Sequence, residues 1–350
     1  NEFVCVNLVN SPLTINSGSV DFNENTCLTA QGSPIVVNSG DVEFSHASVL
    51  DLQDPESSLV IDGGNFQLSN VAEFLTVQGT QIDILDGNFV VVDGVNLNFD
   101  EVEVYIGGNA VFSDSAQLNM LNSNLEIVNG SLALDLNVNF AVTGTNVTVV
   151  GGSLTSTDNV NADFISSYLY VEGDVVLDGS MLSSYDWVDS IFEVVDGGDL
   201  LLSGNTTASF TNSEGNILGG SLSIVEGVTL TTSSSTINLD GTGTLNVWGS
   251  SHVILDDASL LSVVTDGASA NFADSVHLEI FHDSTFNVTG GSIHFDNSAI
   301  FDLWEGTNIN VLGGSFVMSG QSEMTAYPFT QGTIVGGNFH IIDDAAVTFI

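Results

Sequence analysis

A glycine-initiated unit returns about every 23 residues along the whole chain, and self-similarity at such a period means that copies of one small unit stack on each other. The clearest rows open on Gly-Gly pairs at Gly63, Gly107, Gly151, Gly197, Gly219, Gly290, Gly313 and Gly336. Weaker rows open near Asn16, Asn38, Asp86, Asn129, Glu172, Gly241 and Asp266. Each row breaks into three short runs. From Gly290 they read Gly-Gly-Ser-Ile-His-Phe, then Asp296-Asn-Ser-Ala-Ile-Phe-Asp-Leu-Trp, then Glu305-Gly-Thr-Asn-Ile-Asn-Val-Leu. The runs alternate apolar and polar residues, favour β-branched and aromatic side chains, and open on turn formers, which is the pattern of strands and not of helices.

Three short strands in a row that repeats at this period describe an all-β fold, a single-stranded parallel β-helix (β-solenoid) of roughly 15 coils. The apolar pairs expected to face inward on the first strand of each row include Val42 and Phe44, Phe66 and Leu68, Leu132 and Leu134, Leu222 and Ile224, Ile293 and Phe295, and Phe339 and Ile341. One row cannot bury its own face; stacking makes a continuous core. Residues 1–350 therefore read as one solenoid domain, with 336–350 an incomplete last coil. The chain stops at Ile350 inside that coil, and an uncapped solenoid end exposes strand edges that invite pairing with another chain. The chain also opens without an initiator Met, a basic segment or an apolar leader core, which fits a leader already removed.

The two cysteines support the register independently. Cys5 and Cys27 lie one row apart, and Ser11-Pro-Leu-Thr-Ile and Ser33-Pro-Ile-Val-Val follow them at the same offset. In adjacent coils their Cα atoms would be ~4.8 Å apart, within reach of a disulfide. This reads as a staple in the N-terminal coils, residues 1–37, and as an oxidising, extracellular or cell-surface setting. Two buried thiols, or a bridge between subunits, are the alternatives. Four Asn-X-Ser/Thr sites fit the same compartment as candidate glycan acceptors: Asn129, Asn146, Asn205 and Asn287. Asn287, flanked by Phe286 and Val288, is expected to point outward most clearly.

The chain has 44 acidic residues and no lysine or arginine, a formal charge of -44. Nucleic acid and anionic membrane surfaces are poor partners, and no nucleic acid is expected, since phosphate contacts need cationic side chains. Apolar runs are short and broken, so no membrane insertion is expected. Trypsin has no site to cut, which fits a protease-exposed life. Asp83, Glu103 and Glu126 are expected to stack outward on the third strand of successive rows. Like charges ~5 Å apart repel by roughly 1 kcal/mol even in bulk water, so calcium or another divalent cation is the candidate ligand there. No EF-hand loop or tandem nonapeptide is present.

Catalytic signatures are missing. Carboxylate pairs alone are too common among 44 acids to mark a glycosidase. The six histidines, His46, His252, His277, His282, His294 and His340, read as solvent-facing polar residues. Surfaces remain. On the first strand the outward position is polar early (Asp21, Glu43, Gln67) and late (Ser223, Asn246, Asn271). In between it turns apolar: Val90, Val111, Ala133, Val176 and Leu201, with Thr155 among them. Such a strip would be an unusual exposed patch, suited to packing against a neighbouring subunit, unless the register shifts in those rows. Tyr168, Tyr170, Tyr185 and Trp187 form the one local aromatic cluster that could serve a carbohydrate-binding surface. Thr229, Thr231 and Thr232 do not continue into neighbouring rows, which argues against an ice-binding Thr ladder.

Through rows such as Gly219 to Ile224 and Gly313 to Met318 the whole chain resembles extracellular right-handed parallel β-helix surface proteins, of the adhesin, autotransporter-passenger, sheath or surface-layer type. The resemblance implies a surface location and an assembly or binding role, and supplies no site residues. The expected function is that of a secreted, non-enzymatic structural protein whose copies assemble into a protease-resistant filament, sheath or surface layer bridged by divalent cations. A monomeric adhesin or carbohydrate-binding rod is the alternative.

Overall fold

A computed structural model describes residues 4–179 and 183–350. The chain is an all-β parallel β-solenoid of about 15 turns at ~23 residues per turn. It divides into two compact units, Asn1–Tyr168 and Leu169–Ile350.

Each coil contributes one strand to a flat parallel sheet and two to the remaining walls. In the first unit the flat sheet runs from Val4–Val9 through Thr26–Gln31, Val49–Leu52, Glu73–Thr76, Asn96–Asp100, Gln117–Leu121 and Asn139–Thr143 to Asn161–Ile165. In the second it runs from Ser184–Val188 through Thr207–Thr211, Thr229–Ser233, His252–Asp256, His277–Ile280, Ile300–Leu303 and Glu323–Ala326 to Ala346–Phe349. Every one of these pairings is parallel and joins residues one coil apart. Alternation therefore sends one set of side chains to the interior and the other to solvent all the way up each wall.

The expected inward pairs are in register, Val20 with Val42 and Phe66, Phe22 with Phe44 and Leu68. Rings stack directly in places: Phe22 on Phe44 at 4.4 Å between centroids, Phe272 on Phe295 at 4.7 Å, Phe316 on Phe339 at 4.7 Å. The void among Ile84, Phe89, Phe99, Phe112 and Met120 is about 10 Å³, room for one water, whereas a cavity of about 570 Å³ opens among Ile309, Val311, Met324, Phe339 and Phe349 in the last coils. Phe339 and Ile341 differ from the other pairs. They stack on Phe316 and Met318 below, and Ile341 is 46% exposed.

Glycine is demanded most clearly at Gly87. Its φ is +102°, and a Cβ there would lie 2.3 Å from the carbonyl oxygen of Gly64 in the coil below. The left-handed residue is not always the first of the pair: in the rows from Gly290 and Gly313 it is Gly291 and Gly314.

Polar columns close the corners. Asn65, Asn88 and Asn109 form an amide ladder in which each Nδ2 donates to the residue below, beginning on Asp41 Oδ1 at 2.7 Å and continuing at 2.6 and 3.3 Å; the Ser131 hydroxyl caps it on Asn109 at 2.8 Å. In the second unit the backbone N–H groups of Ser190, Ser213, Ser235 and Ser259 donate to the hydroxyls of Ser213, Ser235, Ser259 and Ser284 at 3.0–3.2 Å. These serines are buried.

Cys5 and Cys27 are register partners, 4.5 Å apart at Cα, and form the disulfide across the first two coils.

Candidate functional site

The apolar strip is a true column. In the first unit Asp21, Glu43, Gln67, Val90, Val111, Ala133 and Thr155 succeed one another in register. In the second, Val176, Leu201, Ser223, Asn246 and Asn271 do the same. Val90, Val111, Ala133, Val176 and Leu201 all sit at the outward, half-buried position of their strands, with core residues on either side. The register does not shift here. The strip's apolar character is a property of the outer surface.

The acidic stack is corrected. Asp83 pairs with Tyr105 and Tyr105 with Glu126, whereas Glu103 stands between Gln81 and Asn124. Asp83, Glu103, Tyr105 and Glu126 line one shallow groove, with a tyrosine ring where a third carboxylate was expected. The three acids are not among the described groups whose ligand atoms come within 4.8 Å of one another. A two-residue slip explains the difference. It keeps a side chain on the same face while moving it one column sideways.

The described groups of three whose donor atoms do come within 4.8 Å of one another lie instead along the parallel sheet of the second unit. Strand His252–Asp256 projects His252, Ile254 and Asp256 outward. Strand His277–Ile280 projects His277 and Glu279, and Ile300–Leu303 projects Ile300 and Asp302. Parallel register then sets His252 against His277 and Glu279 against Asp302. The two imidazoles stack at 4.9 Å with 8° between planes. His252 Nε2 lies 2.6 Å from Glu279 Oε2, and His277 Nε2 lies 2.9 Å from Asp302 Oδ2 and 4.0 Å from Glu279 Oε1. Trp304 Nε1 donates to Glu279 Oε1 at 3.1 Å. A second, more exposed cluster joins His282 with Asp256 and Asp257. There the Asp256 carboxylate, bonded to His282 Nδ1, raises the imidazole's pKa above the ordinary value. His252, His277 and His282 are thus paired with carboxylates and are not merely solvated.

Beside these groups stands an aromatic column. Phe281 stacks on Trp304 at 5.3 Å and Trp304 on Tyr327 at 4.1 Å, all three half-buried on the outer surface. The rings face one another along the stack and turn their edges to solvent. The aromatic cluster expected nearer the middle of the chain does not form a surface, because Tyr185 and Trp187 are fully buried. Tyr170 is outward and its hydroxyl donates to Glu172 at 3.1 Å. The threonines are corrected as well. Thr229 and Thr231 pair with Thr207 and Ser209 in the neighbouring coil, while Thr232 faces the core and is 1% exposed. Above them the columns pass to His252 and Ile254, so the hydroxyl patch stops.

Of the glycan acceptor sequences, Asn129, Asn146 and Asn205 are exposed. Asn287, expected to be the best placed, is half-buried and its Oδ1 accepts from Asn310 Nδ2 at 2.9 Å in an amide ladder.

No family model matches the chain, and no curated protein matches it. Among solved structures, a TibC-catalysed hyper-glycosylated TibA fragment is similar at 12% identity, over 96% of this chain and 99% of that one, with a TM-score of 0.30. A likeness of that size says nothing of function. Among the described residues, no helix is long and apolar enough to cross a membrane.

Proposed function

We propose that this is a secreted or surface-displayed β-solenoid of structural type, which works by lateral contact of its walls and associates with copies of itself. The observation that carries the reading is the outward column Val90–Val111–Ala133, bounded by Gln67 and Thr155 in the same register. Three successive coils place aliphatic side chains at the same outward, half-buried position, with a polar residue at each end of the run. An apolar stripe rimmed by polar groups is the usual mark of a contact surface. The Cys5–Cys27 disulfide supports an oxidising compartment.

Val111→Asp tests it. The column position is outward, so the coil should keep its strand content by circular dichroism. One added charge per chain, brought near its copy in a partner, should shift sedimentation velocity from associated species to single chains. Unchanged association would remove the column from the contact.

A second reading, an adhesin-type solenoid that binds a glycan, is favoured by the outward Phe281–Trp304–Tyr327 stack beside Glu279 and Asp302. Ring edges next to carboxylate acceptors suit a neutral, hydroxyl-rich ligand, and the formal charge of -44 disfavours an anionic one. Under this reading Trp304→Ala abolishes glycan capture while Val111→Asp leaves it untouched.

A further inference from the structure

The geometry points to a metal site on the flat sheet of the second unit: His252, His277 and Glu279, with Asp302 as fourth ligand, bind one divalent ion of the zinc class. The inference is independent of the assembly reading. Three properties of the cluster lead to it.

The first is convergence. One nitrogen of each imidazole and one Glu279 oxygen already lie within 4.8 Å of one another, and Asp302 Oδ2 is 2.9 Å from His277 Nε2. Ligands about 2.0–2.1 Å from a tetrahedral ion stand roughly 3.3 Å apart. The donor atoms of His252, His277 and Glu279 thus need side-chain adjustments of no more than about 1.5 Å by that standard, while Asp302, in contact with His277 alone of the three, would have to turn further to complete the set. Four ligands from three successive strands would be tied together by one ion.

The second is charge. The side chains of Glu279 and Asp302 are only 14% exposed, and they are adjacent in the ladder. No lysine or arginine exists anywhere in the chain to pair with them. Two half-desolvated carboxylates side by side repel, and a dication compensates both at once.

The third is the surrounding shell. The positions that complete the two columns are Ile254, beside His252, and Ile300, beside Asp302, so apolar groups flank the donors on the diagonal. Trp304 Nε1 holds Glu279 by its other oxygen at 3.1 Å. A hydrogen-bonded ligand carboxylate inside an apolar border is the arrangement that orients first ligands in metal sites. The donor set also selects the ion. Two imidazole nitrogens suit zinc, copper or nickel, whereas calcium takes oxygen ligands. The Asp256–Asp257–His282 group has one imidazole and two exposed members, and serves as the internal control.

The test uses the full chain, stripped with chelator and dialysed, then titrated with zinc chloride by calorimetry and with cobalt(II) by visible absorbance. One zinc per chain is expected, with the intense visible bands of four-coordinate cobalt at the same stoichiometry. His252→Gln/His277→Gln should weaken zinc binding at least 100-fold, and Asp302→Asn about 10-fold, while His282→Gln leaves it unchanged. Glutamine keeps the polar surface of an outward strand position, and Asp302→Asn, which leaves both imidazoles in place, gives an independent arm should the double variant misfold. Absence of a saturable site would overturn the inference. So would equal binding in the double variant, loss of binding with His282→Gln, or displacement of zinc by an equimolar amount of calcium, which would mark a diffuse carboxylate cloud.

Discussion

His282 is 70% exposed at its side chain, and yet the Asp256 carboxylate on its Nδ1 raises its pKa. A folded-state pKa raised above the unfolded value, about 6.5 for histidine, gives a stabilising contribution that is fully present below that value and is lost as pH rises through the folded pKa. Exposure keeps the effect small. His282→Gln should therefore lower the melting temperature relative to the parent at pH 5.5, and the difference should vanish by pH 9. An equal difference at both pH values would show that the ring acts by packing and not by charge. The acid–imidazole pairs were not legible in the sequence. His252 meets His277, and Glu279 meets Asp302, only because the intervening turns bring each strand back to the same column, and turn lengths vary from row to row. The fully buried Trp187 and Tyr185 were misjudged for a related reason: an aromatic residue reads as surface or core only once the phase of its strand is known.

At the scale of the element, the wall strands hold together through columns of like residues. The buried serine column is the least visible of these in the sequence, because a lone serine in a turn looks like ordinary punctuation. The hydroxyls of Ser213, Ser235 and Ser259 each accept the N–H of the serine in the preceding coil and donate to a carbonyl. Ser235 accepts from Ser213 at 3.0 Å and reaches the carbonyl of Phe210 at 2.9 Å. Ser235→Ala leaves a buried N–H without its acceptor. Denaturant unfolding should show a loss of about 1–3 kcal/mol, and a loss near zero would mean that water or a shifted backbone replaces the hydroxyl. The outward strip, by contrast, was legible, since strict alternation carries the Gly-Gly phase directly into the first strand of each row. The acid groove lies on the far side of the Gly-Gly corner, where the step from one coil to the next is 22 residues (Gln81 to Glu103) against 21 in the first strand (Asn88 to Asn109). Glu103 falls two residues short of the column that Tyr105 holds, because step lengths differ from wall to wall.

At the scale of the whole molecule, the 23-residue period fixed the fold, and composition set the limits of function. Forty-four acids with no basic residue leave the walls mutually repelling, so close approach of two copies depends on salt, bound cations and whatever apolar surface the walls offer. Under the proposed reading the strip at Val90, Val111 and Ala133 answers this requirement in the first unit, and Val176 and Leu201 do so in the second. Electron microscopy of the purified chain, at physiological salt with and without chelator, tests lateral association most directly. Ordered assemblies with solenoids side by side, in contact at the valine strip, are the expected result. A field of dispersed single solenoids at every concentration and cation condition would contradict it.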